Sequence, residues 1–94
     1  MPIKVINKSS LVAHVCINQW GNNSDTTYCP IQPAHDDVWN RTDDRGFIMG
    51  VKHGSKSQLY YVLAGDILTI NRDSSITNIH DIKLEPITYP TGTD

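Results

Sequence analysis

The sequence predicts an all-β fold, a small antiparallel two-sheet sandwich of about six to eight strands. Three observations predict it. No stretch carries a convincing helical period. Short β-branched and aromatic runs recur along the chain. Clusters of Gly, Asn, Asp, Ser and Pro separate those runs and favour turns. With 94 residues and no linker or repeat, residues 1–94 form a single domain.

The strands are expected near Ile3–Asn7, Leu11–Asn18, Thr26–Ile31, Asp37–Arg41, Phe47–Lys52, Gln58–Leu63, Ile67–Asn71 and Ile79–Leu84. In the second, Leu11, Ala13, Val15 and Ile17 share one face, because successive strand side chains point to opposite sides. His14, Cys16 and Asn18 take the other face, together with Val12. Phe47, Met49 and Val51 share a face, and Leu59, Tyr61 and Leu63 are expected to do the same in the core. Tyr60 then points outward, where a tyrosine marks an interface or a ligand surface. Gly21-Asn22-Asn23-Ser24, His53-Gly54-Ser55 and Ala64-Gly65-Asp66 are turn candidates. Pro30 and Pro33 bracket a segment that must interrupt pairing. The tail after Glu85 is expected to run irregularly over the surface, pinned by Tyr89.

Composition excludes several functions. The apolar fraction of 38% supports folding, and the charged fraction of 19% is far below what disorder needs. The net charge of −2 and the lack of a basic run argue against a nucleic-acid partner. No apolar run is long enough to span a membrane, so no membrane insertion is expected. MPIKVINKSS does not read as a signal peptide, so the expectation is a cytoplasmic chain, or the mature form of a processed one. Cys16 and Cys29 lie opposite each other if a hairpin is centred between Asn22 and Asn23, which permits a disulfide; two separate buried thiols are the alternative.

Catalysis is not indicated. Asp36-Asp37 and Asp43-Asp44 are adjacent pairs, which a strand points to opposite faces, so neither makes a natural acid–base dyad. His14, His35, His53 and His80 show no metal-ligand spacing, and no metal or cofactor is implied. Binding is the better class. The stretch AHDDVWNRTDDRGF, residues 34–47, gathers polar groups around one tryptophan. Asp37, Trp39 and Arg41 share a strand face. Trp39 is either a core anchor with Arg41 paired to an aspartate above it, or a flat platform for the CH face of a sugar. In the second case the carboxylates, Asn40 and Arg41 would bond vicinal hydroxyls. Trp20, beside the hairpin tip, either covers a sheet end or serves a site or subunit contact. His35 and Asp36 lie on the Pro-rich approach to the strand.

The order VINKSS…VAHVCINQWG…YCPIQPAHDDVWNR…RGFIMGV…YYVLAGDILTI…IHDI resembles a family of small, leaderless all-β proteins of mushrooms. The resemblance runs from about Ile3 to Ile82, with Trp39, Arg41 and Gly46 as its firmest points. It implies a metal-independent lectin that binds terminal α-galactosyl glycans on cell surfaces and agglutinates as a non-covalent homodimer. It also implies fruiting-body storage, with release by an unconventional route. The family pattern often has Gly where this chain has Ala34, which reshapes the approach loop. The resemblance does not assign the sugar contacts: Trp39 and Arg41 recur in the family, which favours a supporting role for them over direct contact, and His35, Asp36, Asp37 and Asn40 are then the better candidates for touching sugar. The rival reading is a membrane-active or inhibitory fungal defence protein without sugar specificity. A structural interaction module is the third.

Overall fold

In a computed structural model that describes residues 2–18, 27–41 and 43–87, eight strands form two sheets among the described residues. They are β1 (Ile3–Asn7), β2 (Ala13–Ile17), β3 (Cys29–Ile31), β4 (Asp36–Trp39), β5 (Phe47–His53), β6 (Lys56–Val62), β7 (Ile67–Ile70) and β8 (Ile76–Thr77). Trp20, the Gly21–Ser24 turn, Thr26 and Tyr89 lie outside the described residues. One sheet has the order β4-β1-β7-β8 and the other β3-β2-β5-β6, the expected all-β two-sheet architecture. Pairing is antiparallel except between β1 and β7, which run parallel.

The core lies between the sheets. The first sheet contributes Ile3, Val5, Leu68, Ile70 and Ile76. The second contributes Ala13, Val15, Ile17, Ile31, Phe47, Met49, Val51, Tyr60 and Val62. Phe47, Met49 and Val51 share a buried face as their spacing predicts. On β2 the face Ala13, Val15, Ile17 is buried, but Leu11 precedes the strand and is exposed. The β5–β6 connection is a two-residue loop, Gly54-Ser55, between paired His53 and Lys56. Gly54 has φ +62° and Ser55 does not share the positive sign, the pattern of a turn with glycine at its first central position.

Two expectations are corrected, and the choice left open for the cysteines is decided. On β6 the phase is inverted: Tyr60 is 4% exposed and Tyr61 is 54% exposed, and Leu63 is exposed as well. Register explains it, since Met49 of the inward face pairs with Tyr60 and Phe47 pairs with Val62. The last strand is Ile76–Thr77 rather than Ile79–Leu84; only Lys83 makes a bridge, to Thr77. Asn78 forms the intervening turn, its Oδ1 accepting from the Ile82 and His80 backbone N–H groups, so Ile79 and Ile82 stay exposed. Cys16 and Cys29 are free thiols. Cys29 pairs with Val15, one residue from the register a bridge needs, so the two cysteines occupy opposite sheet faces.

Candidate functional site

The stretch rich in polar residues divides into an exposed strip and two anchors. His35, Asp36, Asp37 and Asn40 are exposed along β4, an edge strand, and its flanks. Asp36 lies 3.8 Å from the Lys4 ammonium, and Asp37 Oδ1 accepts from the Val38 N–H at 2.9 Å. Trp39 pairs opposite Ile3 and packs on the core. Arg41 donates from Nε to the Asn18 carbonyl at 2.9 Å and from Nη2 to that of Ile17 at 3.0 Å. Its Nη1 donates to the Asn40 carbonyl at 3.2 Å. This planar fork ties the end of β4 to the end of β2 in the other sheet, a task a lysine cannot perform. Ala34 opens the strip at φ +66°, the left-handed region that glycine occupies without steric cost. That conformation lets the Ala34 N–H donate to the Asn7 carbonyl while Asn7 N–H donates to that of His35.

The C-terminal half of the stretch builds a cleft. Asp43 Oδ1 accepts from the Arg45 backbone N–H and from Arg45 Nε, both at 2.9 Å, while Oδ2 accepts from Nη2 at 2.7 Å. The Arg45 side chain, and then its backbone N–H, hold the Asp43 carboxyl down at about 2. This turn delivers Gly46 at φ +85°. The Tyr61 ring lies where a Gly46 side chain would be, and its hydroxyl donates to the Arg45 carbonyl at 2.7 Å. Tyr61 pairs across the strands with Ile48, and the Ile48 N–H donates to Asn18 Oδ1 at 2.6 Å. Asn18, Arg45, Gly46, Phe47, Ile48 and Tyr61 line a cleft of about 240 Å³. An exposed aromatic side chain is thus fixed by its hydroxyl beside a largely apolar cleft that Asn18 and Arg45 also line. Sequence reasoning pointed Tyr60 outward, towards an interface or a ligand surface; the strand phase turns Tyr61 outward instead. Further along the same outer face, Tyr28 lies over Gly50 and Cys16, with the Lys52 ammonium 4.2 Å from its ring centre. Burial first, and then the Cys16 thiol, push the Tyr28 hydroxyl up.

A second polar constellation is internal, and sequence reasoning missed it. Asn7, Ser9 and His53 are buried. Asn7 Nδ2 donates to the Leu11 and Ile31 carbonyls, both at 2.8 Å, which fixes Oδ1 as the acceptor. Oδ1 accepts from the Ser9 N–H at 3.0 Å and from Ser9 Oγ at 2.6 Å. The single Ser9 hydroxyl proton is therefore committed, so His53 Nε2, at 2.7 Å, donates to Ser9 Oγ. In the neutral ring, His53 Nδ1 then accepts from Ser74 Oγ, 2.7 Å away. Asn7 and Ser74 flank strands of one sheet and His53 ends a strand of the other, so the chain of bonds laces the sheets together. Asn7 and Ser9 stand in the VINKSS motif, but His53 and Ser74 carry no local signal.

Among the described residues no group of three or more His, Cys, Asp or Glu side chains could hold a metal ion. No helix there is long and apolar enough to cross a membrane. No family model, curated protein or solved structure matches this chain.

Proposed function

We propose that the protein is a carbohydrate-binding protein, a lectin that recognises terminal α-galactosyl groups without a metal. One observation carries the reading: Tyr61 is more than half exposed, yet its ring is held across Gly46 by the bond of its hydroxyl to the Arg45 carbonyl. A sugar ring offers one flat apolar face and a set of directed hydroxyls. A pre-positioned phenol beside Ile48, rimmed by Asn18 and Arg45, suits both. The galactosyl preference comes from the motif resemblance over Ile3–Ile82. The exposed groups His35, Asp36, Asp37 and Asn40 belong to the reading as contacts with neighbouring sugar units, while Trp39 and Arg41 hold that strip in place.

A shallow site gains little from burial, so a single sugar should bind with a dissociation constant on the order of a millimolar. Agglutination then requires more than one site per particle, which a homodimer supplies through avidity. The test is a glycan array probed with purified protein, with and without chelator and with excess galactose. Chelator-resistant, galactose-competed binding to α-galactosides is the expected result. Tyr61→Ala should abolish it, and Tyr61→Phe, which keeps the stacking face but loses the bond to the Arg45 carbonyl, should weaken it without abolishing it. A blank array from folded protein overturns the proposal.

A further inference from the structure

At the other end of β6 a separate cleft of about 180 Å³ lies between that strand, the β7–β8 turn and residues 83–86. Tyr60 lines it and is 4% exposed. The Tyr60 hydroxyl makes no hydrogen bond with a described residue, whereas every fully buried side-chain polar atom there is satisfied. The hydroxyl is therefore an unpartnered group that opens into the cleft. Burial pushes its ionisation up, so it is a neutral donor. Lys56 and Lys83 line the same cleft. Among the described residues neither cleft lysine stands in a close ion pair, those being Lys4–Asp36 and Asp43–Arg45, although Lys83 is near enough to help the Ser75 hydrogen bonds hold the Asp73 carboxyl below its ordinary value. The Gln58 side chain adds amide donors. The acidic groups are arranged differently. Asp73 Oδ1 is engaged by Ser75, whose N–H donates at 3.0 Å and whose Oγ donates at 2.5 Å. Glu85 remains as an acceptor.

The cleft walls are anchored independently of any ligand. Ser74 holds φ +72° in the turn, with its hydroxyl bonded to buried His53. A non-glycine residue in that region signals a conformation maintained by its surroundings. The segment that carries Lys83 and Glu85 is fastened by Leu84 N–H to the Ile76 carbonyl at 2.8 Å and by Ile87 N–H to that of Leu59 at 2.7 Å.

We propose that this cleft binds a small oxyanion, a carboxylate or sulfate group. The two ammoniums and the Tyr60 hydroxyl donate to its oxygens, and Glu85 accepts from a hydroxyl of the molecule that bears it. Strong, charge-assisted bonds of this kind favour an oxyanion over a neutral hydroxyl. The oxyanion can arrive free or as the acidic substituent of a sugar, and the cleft works independently of the Tyr61 face.

The experiment is a titration of the full ¹⁵N-labelled chain, followed by amide shifts, with sodium sulfate, glucuronate and glucose at constant ionic strength. Sulfate or glucuronate should give saturable shifts at the amides of Lys56–Tyr60 and Asp73–Ser75, and glucose should not. Tighter binding of glucuronate identifies a sugar-borne anion; tighter binding of sulfate identifies a free one. The double variant Lys56→Ala/Lys83→Ala should bind about tenfold more weakly or worse. Tyr60→Phe, which preserves the core packing, should weaken binding several-fold. Tyr61→Ala should leave this titration intact even as it removes galactoside binding, which separates the two proposals. Absent shifts with both anions, equal binding of glucose, or undiminished affinity in the double lysine variant overturns the inference.

Discussion

Replacing Asn7 by alanine tests whether the buried polar chain is what fastens the two sheets. Asn7 is fully buried, and its side chain makes four hydrogen bonds of 2.6 to 3.0 Å. Each buried bond contributes a net ~1 kcal/mol, and a donor left unsatisfied costs ~1–3 kcal/mol. In Asn7→Ala the Ser9 N–H loses its acceptor and the Ile31 carbonyl loses a donor, while the freed Ser9 hydroxyl can donate to the Leu11 carbonyl 3.0 Å away. The expected loss is about 3–5 kcal/mol. Small domains total only about 5–15 kcal/mol, so the loss is a large share of the whole. The midpoint should fall by roughly 20 °C. Urea unfolding followed by tryptophan fluorescence and circular dichroism measures the change. Ser10→Ala, at the exposed neighbour, is the control and should stay within about 0.5 kcal/mol. A loss below about 1 kcal/mol in Asn7→Ala would refute the argument, because the network would then be replaceable by water.

Four further outcomes follow from the geometry. Ala34→Gly should stabilise the fold by about 0.5–1 kcal/mol in the same urea assay, by relieving the left-handed strain at φ +66°. Gly46→Ala combines φ +85° with collision against the Tyr61 ring, so it should cost about 2–3 kcal/mol in urea unfolding and weaken galactoside binding on the array. The Asp43 carboxyl is depressed, so its contribution is fully present above the ordinary value of 3.8 and is lost as pH falls towards about 2; a carboxyl NMR titration reads this directly, and Arg45→Ala should move Asp43 only part of the way back up, because the backbone N–H of residue 45 still bonds Oδ1. Thiol labelling of the native protein should modify the half-exposed Cys29 well before the buried Cys16, and both should react once the chain is unfolded.

Periodicity located the strands well wherever one face was apolar and the other polar. On Phe47–His53 the inward residues Phe47, Met49 and Val51 are legible from spacing alone. It failed at Leu59-Tyr60-Tyr61-Val62-Leu63, where every position is apolar or aromatic and alternation cannot choose a phase. There the neighbouring strand decides, through Met49 opposite Tyr60. Ile79 and Ile82 misled for another reason: the Asn78 side chain captures the backbone N–H groups that a strand would have offered its neighbour. The anchoring of Trp39 was one of the two readings open from sequence, but the carbonyl partners of Arg41 were not foreseeable, because they sit on a strand distant in the chain. The His53 relay and the Tyr60 cleft were illegible for the same reason: each joins residues from separate parts of the sequence, and no local pattern encodes the meeting.

The parallel pairing of β1 with β7 sets a timetable for the growing chain. The hairpin β5–β6 can close from neighbouring residues, and β2 can join it as soon as β5 has left the ribosome. Strand β1 acquires β4 on one side early but keeps its other edge bare until Ile67–Ile70 arrive. A nascent chain stalled before that point carries the apolar side chains Ile3 and Val5 beside an unpaired row of backbone donors and acceptors. That is the surface on which another such chain would add a strand. The same crossover that locks the finished sandwich therefore makes the half-synthesised protein the species most in need of a chaperone.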